Sequence, residues 1–275
     1  MTEMLTGLAE ANGTRLYYEI RGSGPSVLLV PGAFGDAGVF TKTAEQLADE
    51  FTVITYDRRG NSRSPRPADW SSTTLAEQAA DAAALLRGLH AEPAAAFGTS
   101  GGAEVVLELL IRDPGVLRGA IVHEPPLMGL LPNGSELGAM FEQIVGDALA
   151  QGGIRGATEL FLGMNMGSEL FDALEPSLRA RILADGEVFF GAELKAMANY
   201  TPAAGDLAGI KLPVFLAAGS DDRPQELKYL VQASEWVSRT LGVDLVRFPG
   251  WHVPYLSDVD EFVDALRPLL RKFGH

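Results

Sequence analysis

A chain of 275 residues with 47% hydrophobic and 21% charged residues can bury one sizeable core, which excludes a disordered polyelectrolyte. Its 36 acidic against 22 basic residues leave a net charge of −14, which disfavours nucleic acid and anionic membrane surfaces as partners. Cysteine is absent, so disulfide staples, thiolate metal sites and a cysteine nucleophile are ruled out together.

The opening Met1-Thr2-Glu3-Met4 has no basic segment followed by an apolar one, and no apolar run approaches the roughly 20 residues that cross a bilayer, so a soluble cytoplasmic protein is expected. Leu16 to Ile20 follows Asn12-Gly13, the dipeptide of a tight hairpin, and predicts an antiparallel entry into a sheet. Val27 to Val30 and Thr52 to Tyr56 are short apolar runs of the kind buried on both faces of a parallel sheet, with helical spacing from Phe40 to Asp49 between them. The alternation continues with a helix over Thr74 to Leu89, a strand over Ala94 to Phe97, a helix over Gly101 to Arg112 and a strand over Arg118 to Val122. It stops after Pro125-Pro126 and resumes at Pro213 to Ala218.

The roughly 85 residues between read as mostly helical, so residues 1–127 and 210–275 are expected to form an α/β core and residues 128–209 an inserted helical cap. Five methionines fall in that insertion (Met128, Met140, Met164, Met166, Met197), with Phe141, Phe161, Phe171, Phe189 and Phe190. Adaptable side chains of this kind suit a bulky apolar ligand, although most would equally serve to pack helices together. The chain closes with a helix over Gln225 to Leu241, a strand over Val243 to Phe248 and a helix from Ser257, an expected N-cap, to Lys272.

Gly98-Thr99-Ser100-Gly101-Gly102 lies between a predicted strand and a predicted helix and satisfies G-x-S-x-G. A sharp strand-to-helix turn needs small residues on either side, projects Ser100 above the sheet and leaves the Gly101 N–H at a helix N-terminus, where it can stabilise an oxyanion. Ser100 is therefore the candidate nucleophile. A second oxyanion donor is expected from the loop Pro31-Gly32-Ala33-Phe34-Gly35, at the Ala33 N–H.

A serine hydroxyl requires a base. Among four histidines, His275 is the last residue and His90 ends a surface helix, whereas His123 ends a strand and could orient a neighbour or line a pocket. His252, in the loop Pro249 to Pro254 after the last strand, is the expected base. Two strand-end carboxylates, Glu124 and Asp222, precede it, and the order Ser, acid, His does not choose between them. Asp57, Arg58, Arg59 and Arg63 read as structural ties between loops.

Pro31-Gly32, Asp57-x-Arg59-Gly60-x-Ser62-x-Ser64, the Gly98 to Gly102 turn and Gly250-Trp251-His252 together resemble the α/β-hydrolase superfamily. That resemblance implies a mostly parallel central sheet with helices on both faces and an inserted cap. The segments Val122 to Pro126 and Phe248 to Ser257 further resemble the zearalenone lactone hydrolases. This implies Glu124 as the triad acid, Ala33 and Gly101 as oxyanion donors, and hydrolysis of a lactone or ester of a bulky apolar substrate without metal or organic cofactor. Asp222 remains the alternative acid. Phe34, His123, Met128, Phe189, Phe190 and Trp251 are the expected substrate contacts. The alternatives on the same fold are a general carboxylesterase, a C–C hydrolase, a cofactor-free peroxidase, or a ligand sensor without turnover. A small apolar molecule is the expected partner, and a homodimer is compatible with the sequence.

Overall fold

The computed structural model describes residues 4–67 and 69–274; residues 1–3 and His275, both named above, lie outside the described residues. Eight strands form one sheet: β1 (Met4–Ala11), β2 (Thr14–Arg21), β3 (Ser26–Val30), β4 (Thr52–Tyr56), β5 (Ala94–Thr99), β6 (Leu117–His123), β7 (Val214–Gly219) and β8 (Leu245–Phe248), in the order β1-β2-β4-β3-β5-β6-β7-β8. Strands β1 and β2 are the antiparallel entry. The turn joining them puts Asn12 at φ 46° and Gly13 at φ 77°, the left-handed pair that matches the twist of the flanking strands. All other neighbours are parallel. The central strand β5 is buried along its whole length, as a strand covered by helices on both faces must be.

Helices α1 (Thr41–Leu47), α2 (Leu75–Gly88) and α3 (Gly101–Arg112) connect the first half of the sheet. The insertion between β6 and β7 holds α4 (Gly134–Met166), α5 (Ser168–Ala173), α6 (Pro176–Ala184), α7 (Gly186–Val188), a π-helical turn Phe189–Glu193, α8 (Leu194–Ala198) and α9 (Ala204–Gly209). The C-terminal part adds α10 (Lys228–Leu241), α11 (Pro254–Ser257) and α12 (Val259–Arg271). Alternation along β5 proves the two helical layers. The Phe97 ring meets Phe262 of α12 at 5.4 Å, while a Cβ on the next residue, Gly98, would strike Val106 of α3 at 2.7 Å.

Two expectations are corrected. Ser257 is not a helix N-cap: it ends α11, its hydroxyl bonds the Asp258 carboxylate, and α12 begins at Val259. The last strand starts at Leu245 rather than Val243, because Gly242 in the left-handed region (φ 69°) and the bond from Val243 N to Ser238 O are consumed in closing α10. The longest insertion helix is not continuous: Gly153, at φ 61° and ψ −165°, breaks α4 into two.

Candidate active site

The carboxyl ends of β3, β5, β6 and β7 meet the loop after β8, and strained backbone marks three of these ends. Phe34, Ser100 and Glu124 take φ values of 60°, 53° and 49°, a region that holds non-glycine residues only at a cost of about 1–3 kcal/mol each. At Ser100 the strain turns β5 into α3 within one residue, with the Ser100 amide bonded to His123 O at 2.9 Å. Both flanking glycines are required by space: a Cβ on Gly98 would lie 2.4 Å from Gly102 O, and one on Gly102 would lie 2.3 Å from Val30 O.

Glu124 and His252 are brought together. The Glu124 Oε2 lies 2.7 Å from His252 Nδ1, with Glu124 fully buried and His252 at 3% exposure. The other carboxylate oxygen accepts from Gly219 N at 2.8 Å and from Arg223 Nη1 at 2.5 Å. Burial pushes the Glu124 carboxyl up, but its bond to His252 and the charges of His123, His252 and Arg223 outweigh that and hold it at about 2. It is therefore ionised at neutral pH, with at least one hydrogen-bond partner on each oxygen.

Asp222, the other acid considered, is placed elsewhere: its side chain is 95% exposed and its ionic neighbour is Lys228, 4.0 Å away. Arg223, the residue after it, turns inward onto Glu124 instead. Sequence reasoning missed Arg223. Its local sequence carries no signal that it, and not Asp222, turns inward.

Ser100 and Gly101 line a cavity together with Ala33, Met128, Phe161, Phe189, Met197 and Tyr229. The wall is mostly apolar, with Ser100, Asn165, Glu226 and Tyr229 as the lining residues that carry polar side-chain atoms. Of the expected substrate contacts, Met128 and Phe189 are on this wall. Phe34 and Phe190 are not: they pack behind it, with Phe34 against Phe161, Phe189 and Phe190 at 5.5, 4.7 and 6.4 Å. Trp251 is off the wall too, its backbone pressed onto Gly219, where a Cβ would come within 2.2 Å of Trp251 O. Tyr229, from the first turn of α10, was invisible beforehand because nothing in its local sequence separates a cavity tyrosine from a core one.

His123 is likewise no wall residue. Its ring is fully buried between Phe97 and His252, with centroids 6.1 and 6.3 Å away, and its Nδ1 is 2.9 Å from Thr99 Oγ1. Burial lowers it to about 4, so it stays neutral in the fold well below the range where an unfolded histidine, near 6.5, takes a proton. As pH falls from about 6.5 to about 4, the unfolded chain alone gains that proton, so stability drops, by up to about 3 kcal/mol. Glu124 extends the loss below about 4.5 in the same direction, because there too the unfolded state protonates first. We expect His123→Asn to flatten the limb between about pH 6.5 and 4.5 in urea-unfolding midpoints, and an unchanged slope would contradict this assignment.

The charged loop after β4 is a tie, as expected. Asp57 accepts from Ala37 N and from Arg63 Nε, both at 2.7 Å, and Arg59 Nε pairs with Asp81 at 2.8 Å. Among the described residues, no group of three or more His, Cys, Asp or Glu side chains is arranged to hold a metal ion. No helix there is long and apolar enough to cross a membrane.

The sequence model described as "Alpha/beta hydrolase family" matches residues 27–265. An uncharacterized hydrolase, YraK, of Bacillus subtilis (strain 168) is 33% identical over 97% of this chain and 96% of its own. A zearalenone hydrolase of Bionectria ochroleuca is 28% identical over 93% of each chain. Among solved structures, a thermophilic esterase from Thermogutta terrifontis superposes with a TM-score of 0.76 at 23% identity, covering 98% of this chain and 100% of that one.

Proposed function

We propose, from the premise that this chain belongs to the alpha/beta hydrolase family, that it is a serine hydrolase which opens a lactone or cleaves an ester of a bulky, largely apolar molecule. The observation that carries the reading is the buried Glu124–His252 pair at 2.7 Å, taken together with a strained Ser100 on the wall of an apolar cavity. The relative named zearalenone hydrolase and the apolar cavity wall favour a large lactone over a short ester.

In this reading Ser100 Oγ attacks the carbonyl carbon while His252 Nε2 takes its proton. The carbonyl oxygen becomes an oxyanion held by the Ala33 and Gly101 amides, each such donor being worth about 3 kcal/mol at the transition state. Collapse breaks the acyl–oxygen bond, and His252 returns the proton to the departing alcohol, which in a lactone stays attached to the acyl chain as the ring opens. Water, deprotonated by His252, then attacks the acyl-serine and releases the acid. Glu124 keeps the proton on His252 Nδ1 and balances the charge the ring acquires. Residues 128–209 act as a cap that supplies the far wall of the cavity and selects substrate bulk.

The test is chromatographic. Pure protein is incubated with zearalenone, smaller lactones and simple aryl esters, with the Ser100→Ala protein as blank. Catalytic appearance of the ring-opened acid is expected; hydrolysis of short esters alone would remove the large-lactone assignment. Stoichiometric binding without any turnover would replace the enzyme by a sensor.

A further inference from the structure

Arg58 is the largest side chain that the fold buries completely, at 1% exposure, and its partners lie on both sides of the site. Toward the insertion, Nη1 and Nη2 form a two-point pair with Glu193, at 2.5 Å to Oε1 and 2.9 Å to Oε2. Asn61 Nδ2 steadies Glu193 at 2.9 Å, and Gln78 Oε1 accepts from Arg58 Nη1 at 2.5 Å. Toward the core, Arg58 Nη2 donates to Gly32 O at 2.8 Å.

That last bond has a consequence one atom further on. Gly32 C=O and Ala33 N–H belong to the same peptide unit, which is planar and trans, so fixing the direction of its oxygen fixes the opposite direction of its N–H. A cation on the oxygen also polarises the unit and strengthens the N–H as a donor. The unit lies against the nucleophile: a Cβ on Gly32 would stand 2.9 Å from Ser100 Cβ, and one on Gly101 would stand 3.7 Å from Ala33 N.

A buried guanidinium needs a counter-charge. Glu104 does not serve: it is fully buried with no hydrogen-bond partner for either oxygen among the described residues, so no bond joins it to Arg58, and burial pushes its carboxyl well up against the pull of Arg58. The counter-charge is therefore Glu193, and Glu193 comes from the insertion. It closes the π-helical turn that begins with Phe189 on the cavity wall, and the helix after it carries Met197, whose sulfur would lie 2.7 Å from a Cβ on Gly101. Such π-turns concentrate at functional positions.

We propose that the Arg58–Glu193 pair is a clasp through which the helical insertion sets the oxyanion hole, making Arg58 a positioning residue for the Ala33 donor. The proposal rests on the reading of Ser100 as nucleophile. Closure of the insertion delivers Glu193, Glu193 holds Arg58, and Arg58 orients the Gly32–Ala33 peptide toward the carbonyl oxygen of the substrate.

The test uses a short p-nitrophenyl ester and two variants, Glu193→Gln and the double variant Arg58→Met with Glu193→Leu. The double variant removes both charges together and is expected to melt near the wild type, since a buried pair replaced by apolar residues of similar volume is often neutral. Both variants should lose about 10- to 100-fold in kcat with KM within about threefold, by analogy with loss of an oxyanion donor. Affinity for a trifluoromethyl ketone, which adds Ser100 and generates the oxyanion, should fall by the same factor, while affinity for the unreactive methyl ketone stays constant. A folded double variant with unchanged kcat and ketone affinity overturns the clasp alone. Equal loss of both ketones also counts against it, because that is the signature of a damaged cavity. A wild-type protein that hydrolyses neither this ester nor any of the lactones above and does not add the fluoroketone overturns the nucleophile reading, and the clasp with it.

Discussion

Ser100→Ala is expected to lower turnover of every accepted ester or lactone by about 10⁴- to 10⁶-fold, the range seen when a nucleophile acting as one unit with its base is removed. The fold should not register the change. Ser100 is only half-buried, its side chain caps nothing in α3, and alanine meets the same φ of 53° that serine already tolerates. Binding of an apolar product to the cavity should persist, because the lining is unchanged. Kinetics and thermal unfolding on the same preparation check both halves: a variant within tenfold of wild type would exclude Ser100 as nucleophile, whatever its geometry.

The second large effect separates the two acids. Glu124→Gln should cost about 10³- to 10⁴-fold in kcat, because an amide can present its NH₂ to His252 Nδ1 and so favour the wrong tautomer, whereas Asp222→Asn should stay within about twofold. The contrast follows from placement: one carboxylate is buried at 2.7 Å from the ring and the other is 95% exposed beside Lys228. Glu124→Gln carries a second expected consequence, since it leaves Arg223, at 8% exposure, without its counter-charge. Stability should fall by about 3 kcal/mol, as for a buried pair broken on one side. Adding Arg223→Gln should recover part of that stability and none of the activity, which distinguishes misfolding from lost chemistry. A large loss in Asp222→Asn with little in Glu124→Gln would reverse the assignment.

Local chemistry made much of this legible beforehand. The hairpin at Asn12-Gly13, the buried runs of β3 and β4, and the glycine pair around Ser100 each follow from a rule about a few neighbouring residues, and these were the elements read well. What could not be read were decisions made by distant partners. Nothing near Arg223 says that it turns inward while Asp222 turns out, and nothing near Arg58 says that a glutamate 135 residues later will meet it. The same holds for the aromatic residues of the insertion. Phe189 and Phe190 are adjacent in a helical turn, so only one faces the cavity, and which one depends on how the turn is rotated over Phe34. His123 was misplaced for a related reason: a strand-end histidine can point along the sheet edge or beneath it, and the stacking of Phe97 and His252 settles the matter only in three dimensions.

The position of Glu124 also has a mechanical side. It is the last residue before Pro125-Pro126, and the insertion begins to fold just beyond, with Leu127 N bonded to Pro125 O at 2.9 Å and Met128 N to Pro126 O at 2.8 Å. Each proline ring locks one backbone torsion, so the pair forms a stiff strut between the anchored carboxylate and the helices beyond it. A displacement of those helices would pivot past Pro126. The strut therefore makes the Glu124 carboxylate a fixture of the end of β6, positioned by the sheet and not by the helices beyond the prolines.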